Sequence, residues 1–336
     1  MIDVVVLWVD PTDSRWLSTY KEHSGSDLDV ATLGNRFRDW GTLKYVFRCI
    51  DKNLPWVRKI HIITEGHLPS WLDLDNERVV HHTHSNLFKY GEALPSFNSS
   101  AIELNFDEID GLSDKFLYFN DDFLVLKETG SERFFKEELP VDYFRLCWPR
   151  NNFIYRFIRK ESAWQSMIFN NLNLINDSFD FKKAKEFVSL NTCINFQETL
   201  KQKILLNFNR VPYIEHYHHV QPFRKASIIE VNSQFEPDVK LTIFSKFRKK
   251  YNISQALYRY FQLVTGKFHS EDYRDHKVYS LTSLEDVLNI DLIGDGYNLV
   301  CLNDVFKGSS EDYLQAQSIL EDKLLELFPN KSEFEN

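Results

Sequence analysis

The sequence predicts an α/β protein: a mostly parallel, Rossmann-like sheet flanked by helices, with a helical insertion. Three observations predict it. Strand-like and helix-like patterns alternate over the first 130 residues, polar clusters follow the strands, and a strand-free stretch occupies about 150–215. The opening run Ile2–Val9 is β-branched and continuous, as in a strand buried on both faces. Asp39–Asn53 has helical spacing, with Leu43, Val46, Phe47 and Ile50 on one side and Pro55 just beyond its end. Arg58–Thr64 is a second strand closed by Gly66, and Arg78–Thr83 a third. Ser99–Ile109 reads as a helix, and Lys115–Phe119 is a fourth strand that runs straight into Asn120, Asp121 and Asp122. A basic helix containing Phe244–Leu263, a mixed stretch from Tyr273 to Leu302, and an acidic amphipathic helix over Glu311–Leu327 complete the pattern. With no repeats and no low-complexity linker, three parts are expected to form one body. They are an α/β half over 1–150 that binds the nucleotide, the helical insertion 151–215, and residues 216–336 completing the same catalytic domain.

Composition narrows the function classes. The chain has 336 residues, 43% hydrophobic and 26% charged, which suits a globular enzyme and argues against disorder. Its net charge of −9 is a poor match to phosphate backbones, so nucleic acid is not expected as a partner. A local basic cluster could still hold an anionic small substrate. Cys49, Cys147, Cys193 and Cys301 show no paired spacing and read as reduced thiols in a cytoplasmic protein. The amino terminus lacks the basic region of a signal peptide, and no apolar run approaches the ~18 residues of a membrane span. Peripheral contact with the inner face of a membrane stays open.

In sheets of this kind ligands collect at the carboxyl ends of the strands. Asp10/Asp13, Thr64–Gly66 and Asn120–Asp122 all fall there. Two adjacent carboxylates at ~4 Å repel by about 4 kcal/mol at an effective dielectric near 20. A divalent cation, Mg²⁺ or Mn²⁺, reverses that sign, making Asp121 and Asp122 the expected metal ligands and catalytic candidates. The bland alternative, a solvated turn, fits poorly between the apolar runs FLYF and FLVL. Trp8, Asp10 and Asp13 offer a ring for stacking and carboxylates for a hydroxyl, although Asp and Pro here also suit a turn. Arg36 and Arg38 precede a helix start, with Lys44 one turn inside, a natural phosphate cradle if they are not surface salt bridges. Asn98, Ser99 and Ser100 exceed what one helix cap needs. His81, His82 and His84 read as structural. Among His216, His218 and His219 the spacing suits no zinc site, and a single general base near Arg224, Lys225 and Arg248 is more economical.

Together these stretches resemble the Stealth family, which includes bacterial capsule hexose-1-phosphate transferases and the GlcNAc-1-phosphotransferase of lysosomal enzyme targeting. Four blocks carry the resemblance. The first is IDVVVLWVDPTD at 2–13. The second runs from RFRDWGTLKYVFRCIDKNLPWVRKIHIITEGHLPSWL at 36–72 through LPSFNSSAIE at 94–103 to KFLYFNDDFLV at 115–125. The third comprises HHVQPFRK at 218–225 and FRKKYNISQALYRYF at 247–261, and the fourth CLNDVF at 301–306 with the closing acidic helix. The match leaves out about 130–215 and 265–300. Pro11 stands where the family usually has Gly, and the H-x-x-P spacing leaves either His218 or His219 for the histidine role.

The resemblance implies a GT-A-like sheet and a UDP-sugar donor whose pyrophosphate, not its glycosidic C–O bond, is broken. A hydroxyl of an oligosaccharide or lipid-linked glycan attacks the β-phosphorus, UMP leaves, and a phosphodiester forms. Asp121, Asp122 and His218 or His219 become the catalytic set. Asn120 and Asn303 join Trp8, Asp10, Asp13, Arg36, Arg38, Lys44, Asn98, Ser99, Ser100, Arg224, Lys225 and Arg248 as substrate-binding residues. The rivals are a conventional glycosyltransferase, which would release UDP, and a non-enzymatic glycan- or nucleotide-binding module, which would need no metal.

Overall fold

The structure, a computed structural model, describes residues 1–25, 37–150 and 162–336. Arg36 lies outside the described residues. In the first part, β1 (Ile2–Leu7), α1 (Ser14–Ser24), α2 (Leu43–Asn53), β2 (Val57–Thr64) and β3 (Val79–Thr83) lead through the short α3 (His84–Leu87) and α4 (Ser99–Glu103). They end in β4 (Lys115–Phe119) and β5 (Phe123–Val125). A hairpin of β6 (Phe135–Lys136) and β7 (Leu139–Asp142) precedes α5 (Ala163–Ser178), α6 (Phe181–Ala184) and α7 (Phe196–Leu205). Then come β8 (Gln221–Arg224), α8 (Lys225–Gln234), α9 (Glu236–Ile243), α10 (Ala256–Val264), β9 (His269–Ser270), β10 (His276–Leu281), α11 (Leu284–Asn289), β11 (Leu299–Asp304) and α12 (Ser310–Leu327).

The main sheet has the order β3-β2-β1-β4-β8. The first three pairings are parallel and the last antiparallel, so the expected mostly parallel α/β fold is the one observed. Period-two alternation splits its side chains between two cores. Val5, Phe116, Tyr118 and Phe223 point into one, shared with α5, α8 and α10. Val4, Val6, Ile60, Ile62, Leu117 and Phe119 point into the other, shared with α2 and α12. Both faces are covered, which is why the central strands β1 and β4 are almost unbroken apolar runs.

Two helices differ from expectation. Ser99–Ile109 divides into α4 and a single 3₁₀ turn at Phe106–Glu108, because the Asn105 side chain donates to the Ala101 carbonyl and closes the helix early. The helix expected to contain Phe244–Leu263 is broken between Ile243 and Ala256. There Thr242 Oγ1 accepts from the Ile253 amide and Asn252 Oδ1 accepts from the Lys249 amide, side-chain bonds that compete with a helical ladder. Arg248 therefore sits on a loop.

Of the strands the sequence did not predict, two set the geometry of the sheet's end. β8 contains Pro222 and joins the edge of the sheet, where a missing N–H is tolerated. β5 turns out of β4 and pairs antiparallel with β11, which pairs in parallel with β10 to form a second sheet. The junction of the two sheets is the segment Asn120-Asp121-Asp122.

Candidate active site

The site begins with a turn. β4 ends at Phe119, the Phe123 amide bonds the Asn120 carbonyl, and the chain reverses into β5. Because β11 runs antiparallel to β5, with Cys301 opposite Phe123, its carboxyl end brings Asn303 and Asp304 back to the same corner. The Leu302 amide bonds the Asp122 carbonyl and locks the two segments together. Asp122, His218 and Cys301 then each present one potential ligand atom within 4.8 Å of the others. The Cys301 thiol donates to Asp122 Oδ2 at 3.4 Å.

Two carboxylate oxygens at this corner, Asp122 Oδ1 and Asp304 Oδ2, are buried with no hydrogen-bond partner. Buried carboxylate oxygens without a hydrogen-bond partner are costly, and a cation, a water or a ligand relieves that cost. Asp121 and Asp122 keep part of their surface open but are ringed by protein. Burial, followed by the charges of Asp122 and Asp39, raises Asp121 well above the usual carboxylate range. Burial also raises Asp122, against the opposing influence of His218 and the Cys301 hydrogen bond. This donor set fits a divalent cation: carboxylates suit Mg²⁺ or Mn²⁺, while an imidazole and a thiol in reach favour the softer Mn²⁺ of the two.

A second wall comes from the loop before α2. Asp39 accepts from Trp8 Nε1 at 3.3 Å and from the Gly41 amide at 2.7 Å. Its backbone carbonyl is held by Tyr313 Oη at 2.6 Å and Gln317 Nε2 at 3.0 Å, so α12 sets its position. Burial, and to a lesser degree the charge of Asp10, raises the Asp39 pKa. Arg38 reaches Asp304 Oδ1 at 3.4 Å, with its guanidinium 4.7 Å over the Tyr313 ring. His67 takes the Asp10 amide on Nε2 at 2.9 Å and meets the Trp8 ring edge-on. Burial lowers the His67 pKa, countered by the charges of Asp13 and Asp10.

A third element lies below. Arg248 donates to Ser99 Oγ at 2.6 Å, while its buried Nε has no hydrogen-bond partner. Arg248 also acts on the buried Glu103, which accepts from Tyr118 Oη at 2.9 Å. The Tyr118 phenol is pushed well above its usual value, first by burial and then by Glu103, with Asp121 and Asp122 also contributing.

The structure thus gathers Trp8, Asp10, Arg38, Asp121, Asp122 and His218 in one region, with Asn120 and Asn303 on the segments that form it. Arg248 and Ser99 connect to it through Glu103 and Tyr118. Asp13 caps α1 by accepting from the Trp16 amide at 2.8 Å.

Several other residues are not where the sequence placed them. Arg224 and Lys225 lie at the opposite end of the sheet. β8 is antiparallel, so its carboxyl end sits beside the amino end of β4, where Lys115 pairs with Arg224. There Arg224 binds Asp114 at 2.6 Å and Lys225 Nζ donates to the Ile109 carbonyl. Lys44 faces the chain terminus, 4.0 Å from Glu335. Asn98 is fully buried and spends its amide on the Ser245 carbonyl and Asn252, and Ser100 points at Met167. His219 turns away from the acids: its Nδ1 bonds the Val220 carbonyl and its ring stacks on Tyr217 at 4.1 Å. Burial, then the charge of His276, drives its pKa far down. Asp39, Asp304, Cys301, Glu103 and His67 were missed. Asp39 and Asp304 stood inside quoted motifs, but a lone acid beside Arg38 or after a strand has no distinguishing pattern.

An α/β fold with two buried, unpartnered carboxylate oxygens at the carboxyl end of its sheet marks a candidate enzyme site, and the relatives identify its class. A model of Stealth protein CR2, conserved region 2, matches residues 36–141. Capsular polysaccharide phosphotransferase WcwK of Streptococcus pneumoniae is 32% identical, covering 99% of this chain and 98% of its own. Exopolysaccharide phosphotransferase cps2G of Lactiplantibacillus plantarum is 32% identical over 99% and 96% of the two chains, respectively. Receptor polysaccharide phosphotransferase WefC of Streptococcus oralis is 26% identical over 99% of each. The chain belongs to the Stealth family and is a phosphotransferase. Among solved structures, galactosyltransferase LgtC in complex with donor and acceptor sugar analogs covers 98% of each chain at 10% identity and a TM-score of 0.38, too weak a likeness to bear on function.

Proposed function

We propose that this phosphotransferase moves a hexose-1-phosphate from a UDP-sugar to a hydroxyl of an oligosaccharide or lipid-linked glycan in capsular or cell-surface polysaccharide synthesis. The observation that carries the reading is the pair of unpartnered carboxylate oxygens, Asp122 Oδ1 and Asp304 Oδ2, flanked by Arg38. Asp122 and Asp121 would hold the divalent cation, with Cys301 in reach and His218 kept outside the ligand set as the base. When bound, Mg²⁺ or Mn²⁺ supplies charge neutralisation to the pyrophosphate.

Phosphoryl transfer asks the protein mainly for positioning and electrostatics. Trp8 and Asp10, at the end of β1, offer a ring face and a carboxylate to the nucleoside. Arg38 and Arg248 offer guanidinium groups to phosphate oxygens. His218, exposed at the rim and close to Asp122, accepts the proton of the acceptor hydroxyl as its oxygen attacks the β-phosphorus. The bond from that phosphorus to the bridging oxygen breaks, UMP leaves with the oxygen, and a phosphodiester forms. The anomeric C–O bond is untouched, so the configuration of the sugar is kept. Four unpaired cysteines suit the reducing cytoplasm, where the reaction is placed.

A nucleotide-release assay with a panel of UDP-hexoses, with and without chelator, tests the reading. Release of UMP that requires acceptor and metal is expected. Release of UDP would show conventional glycosyl transfer and remove the role given to the pyrophosphate.

A further inference from the structure

Helix α7 (Phe196–Leu205) has two faces that do different things. Its inner face is fixed. Gln202, fully buried, bonds both the amide and the carbonyl of Leu146, and Leu205 lies in the core. Glu198, on the same side, is 3.4 Å from Arg145 and 3.8 Å from Arg274. The outer face is apolar and uncovered among the described residues. Phe196 is 78% exposed, and Leu200 and Ile204 follow at i+4 and i+8 with nearly half of each surface open. Ile194 before the helix and Phe208 after it extend the same exposure.

At about 100° per residue, Phe196, Leu200 and Ile204 span roughly an 80° stripe, and Glu198, Gln202 and Leu205 cluster on the other side. The stripe is therefore a second amphipathic face on a helix whose first face is already docked. Lys203 borders one edge of the stripe, Lys201 lies past Gln197 on the other side toward the docked face, and the only acid of the helix is turned inward to the arginines. That local charge opposes the −9 of the whole chain.

We propose that α7 is a membrane-contact helix that lies flat on an anionic lipid surface, its stripe in the headgroup–acyl boundary and its lysines on the phosphates. An apolar stripe with one lysine at its border and a second further round the helix matches the chemistry of an interfacial helix. No helix of the described residues is long and apolar enough to cross a membrane, so this contact is peripheral. The inference goes beyond the proposed chemistry and does not depend on it.

The test is sedimentation of the full chain with vesicles of phosphatidylcholine alone or mixed with phosphatidylglycerol, with no nucleotide present. Wild type is expected to bind the mixed vesicles, to be released by salt, and to leave the neutral ones free. The exposed double variants Phe196→Ser/Ile204→Ser and Lys201→Gln/Lys203→Gln should each lower partitioning at least about tenfold. Unchanged thermal melting shows that both remain folded. Equal binding by wild type and both variants, or none by wild type, overturns the proposal. Concentration-dependent self-association lost in Phe196→Ser/Ile204→Ser, without vesicle binding, also overturns it and makes the face a protein interface.

Discussion

At the amino end of the sheet Asp3 is completely buried, and every oxygen it has is taken. Arg58 donates to both, at 2.8 and 2.5 Å, and the Ser113 amide adds a third bond at 2.7 Å. Nearby, Asp114 is matched by Arg224 and the Ala226 amide. At the carboxyl end, Asp122 and Asp304 each keep an oxygen with no hydrogen-bond partner, while Asp121 is repelled by Asp122 and Asp39, and Asp122 by Asp304. The ionisations follow suit. Asp3 is held far below the usual carboxylate range by Arg58 and His61 hydrogen bonds that outweigh its burial, whereas Asp121 is driven above it. The same residue type serves folding at one end and is left in electrostatic debt at the other, which is where a cation and a phosphorylated donor would bring the balance back.

The contrast can be broken from either end. The largest effect expected is from Asp122→Ala, which should lower kcat by about a thousandfold or more in the nucleotide-release assay while leaving the melting temperature unchanged or higher. Next, His218→Ala should cost about a hundredfold in kcat with normal stability. His219→Ala should instead destabilise the fold by roughly 1–3 kcal/mol, seen in denaturant titration, because it removes a buried ring stacked on Tyr217. Equal kinetic losses with equal stability in the two histidine variants would erase the distinction drawn between them.

At the paired end, Asp3→Ala should cost about 2–3 kcal/mol of stability, less than a fully dry pair because Arg58 is partly exposed, and should spare kcat of the folded fraction. The folded Asp3 pKa is depressed, so this contribution is present above the unfolded value of about 3.9 and fades as pH falls below it. The gap between wild type and variant should therefore narrow in acid.

His82 provides a smaller titration of the same sign, at higher pH. Burial, then the charge of His61, lowers it to about 4, so between about 6.5 and about 4 the unfolded chain takes up a proton that the folded one does not. Wild-type stability falls across that window as pH drops, and His82→Gln should flatten the slope. Smallest of all, Arg224→Ala should change KM less than about twofold and stability by no more than about 1 kcal/mol, because its pair with Asp114 is half exposed and remote from the site.

The legible part of this architecture was whatever periodicity records. β1 and β4 announced themselves as apolar runs and β2 and β3 as short strand-like stretches, and Asp121-Asp122 stood out because two acids directly follow an apolar run. Strand polarity leaves no such trace. Arg224 and Lys225 are basic and near a histidine cluster in sequence, yet the antiparallel course of β8 carries them to the far end of the sheet. Lys44 looked like part of a phosphate cradle, but its helix face is met by Glu335 from almost 300 residues further on. Asn98 had the composition of a binding residue, and only the fold shows that its amide nitrogen is taken by Ser245 and Asn252. Conversely, Cys301 and Asp304 reach the site through the pairing of β11 on β5, a contact between distant segments that no local pattern encodes.

The most direct test of the central claim is a thermal melt of wild type and Asp122→Asn, each with chelator and with added Mn²⁺. Without metal the variant should melt at or above wild type, because one buried repulsion is gone. With Mn²⁺ only wild type should rise, by several degrees, as binding to the folded state demands. If Mn²⁺ raises both proteins equally, or neither, the unpaired carboxylates at the carboxyl end of the sheet are not a cation site.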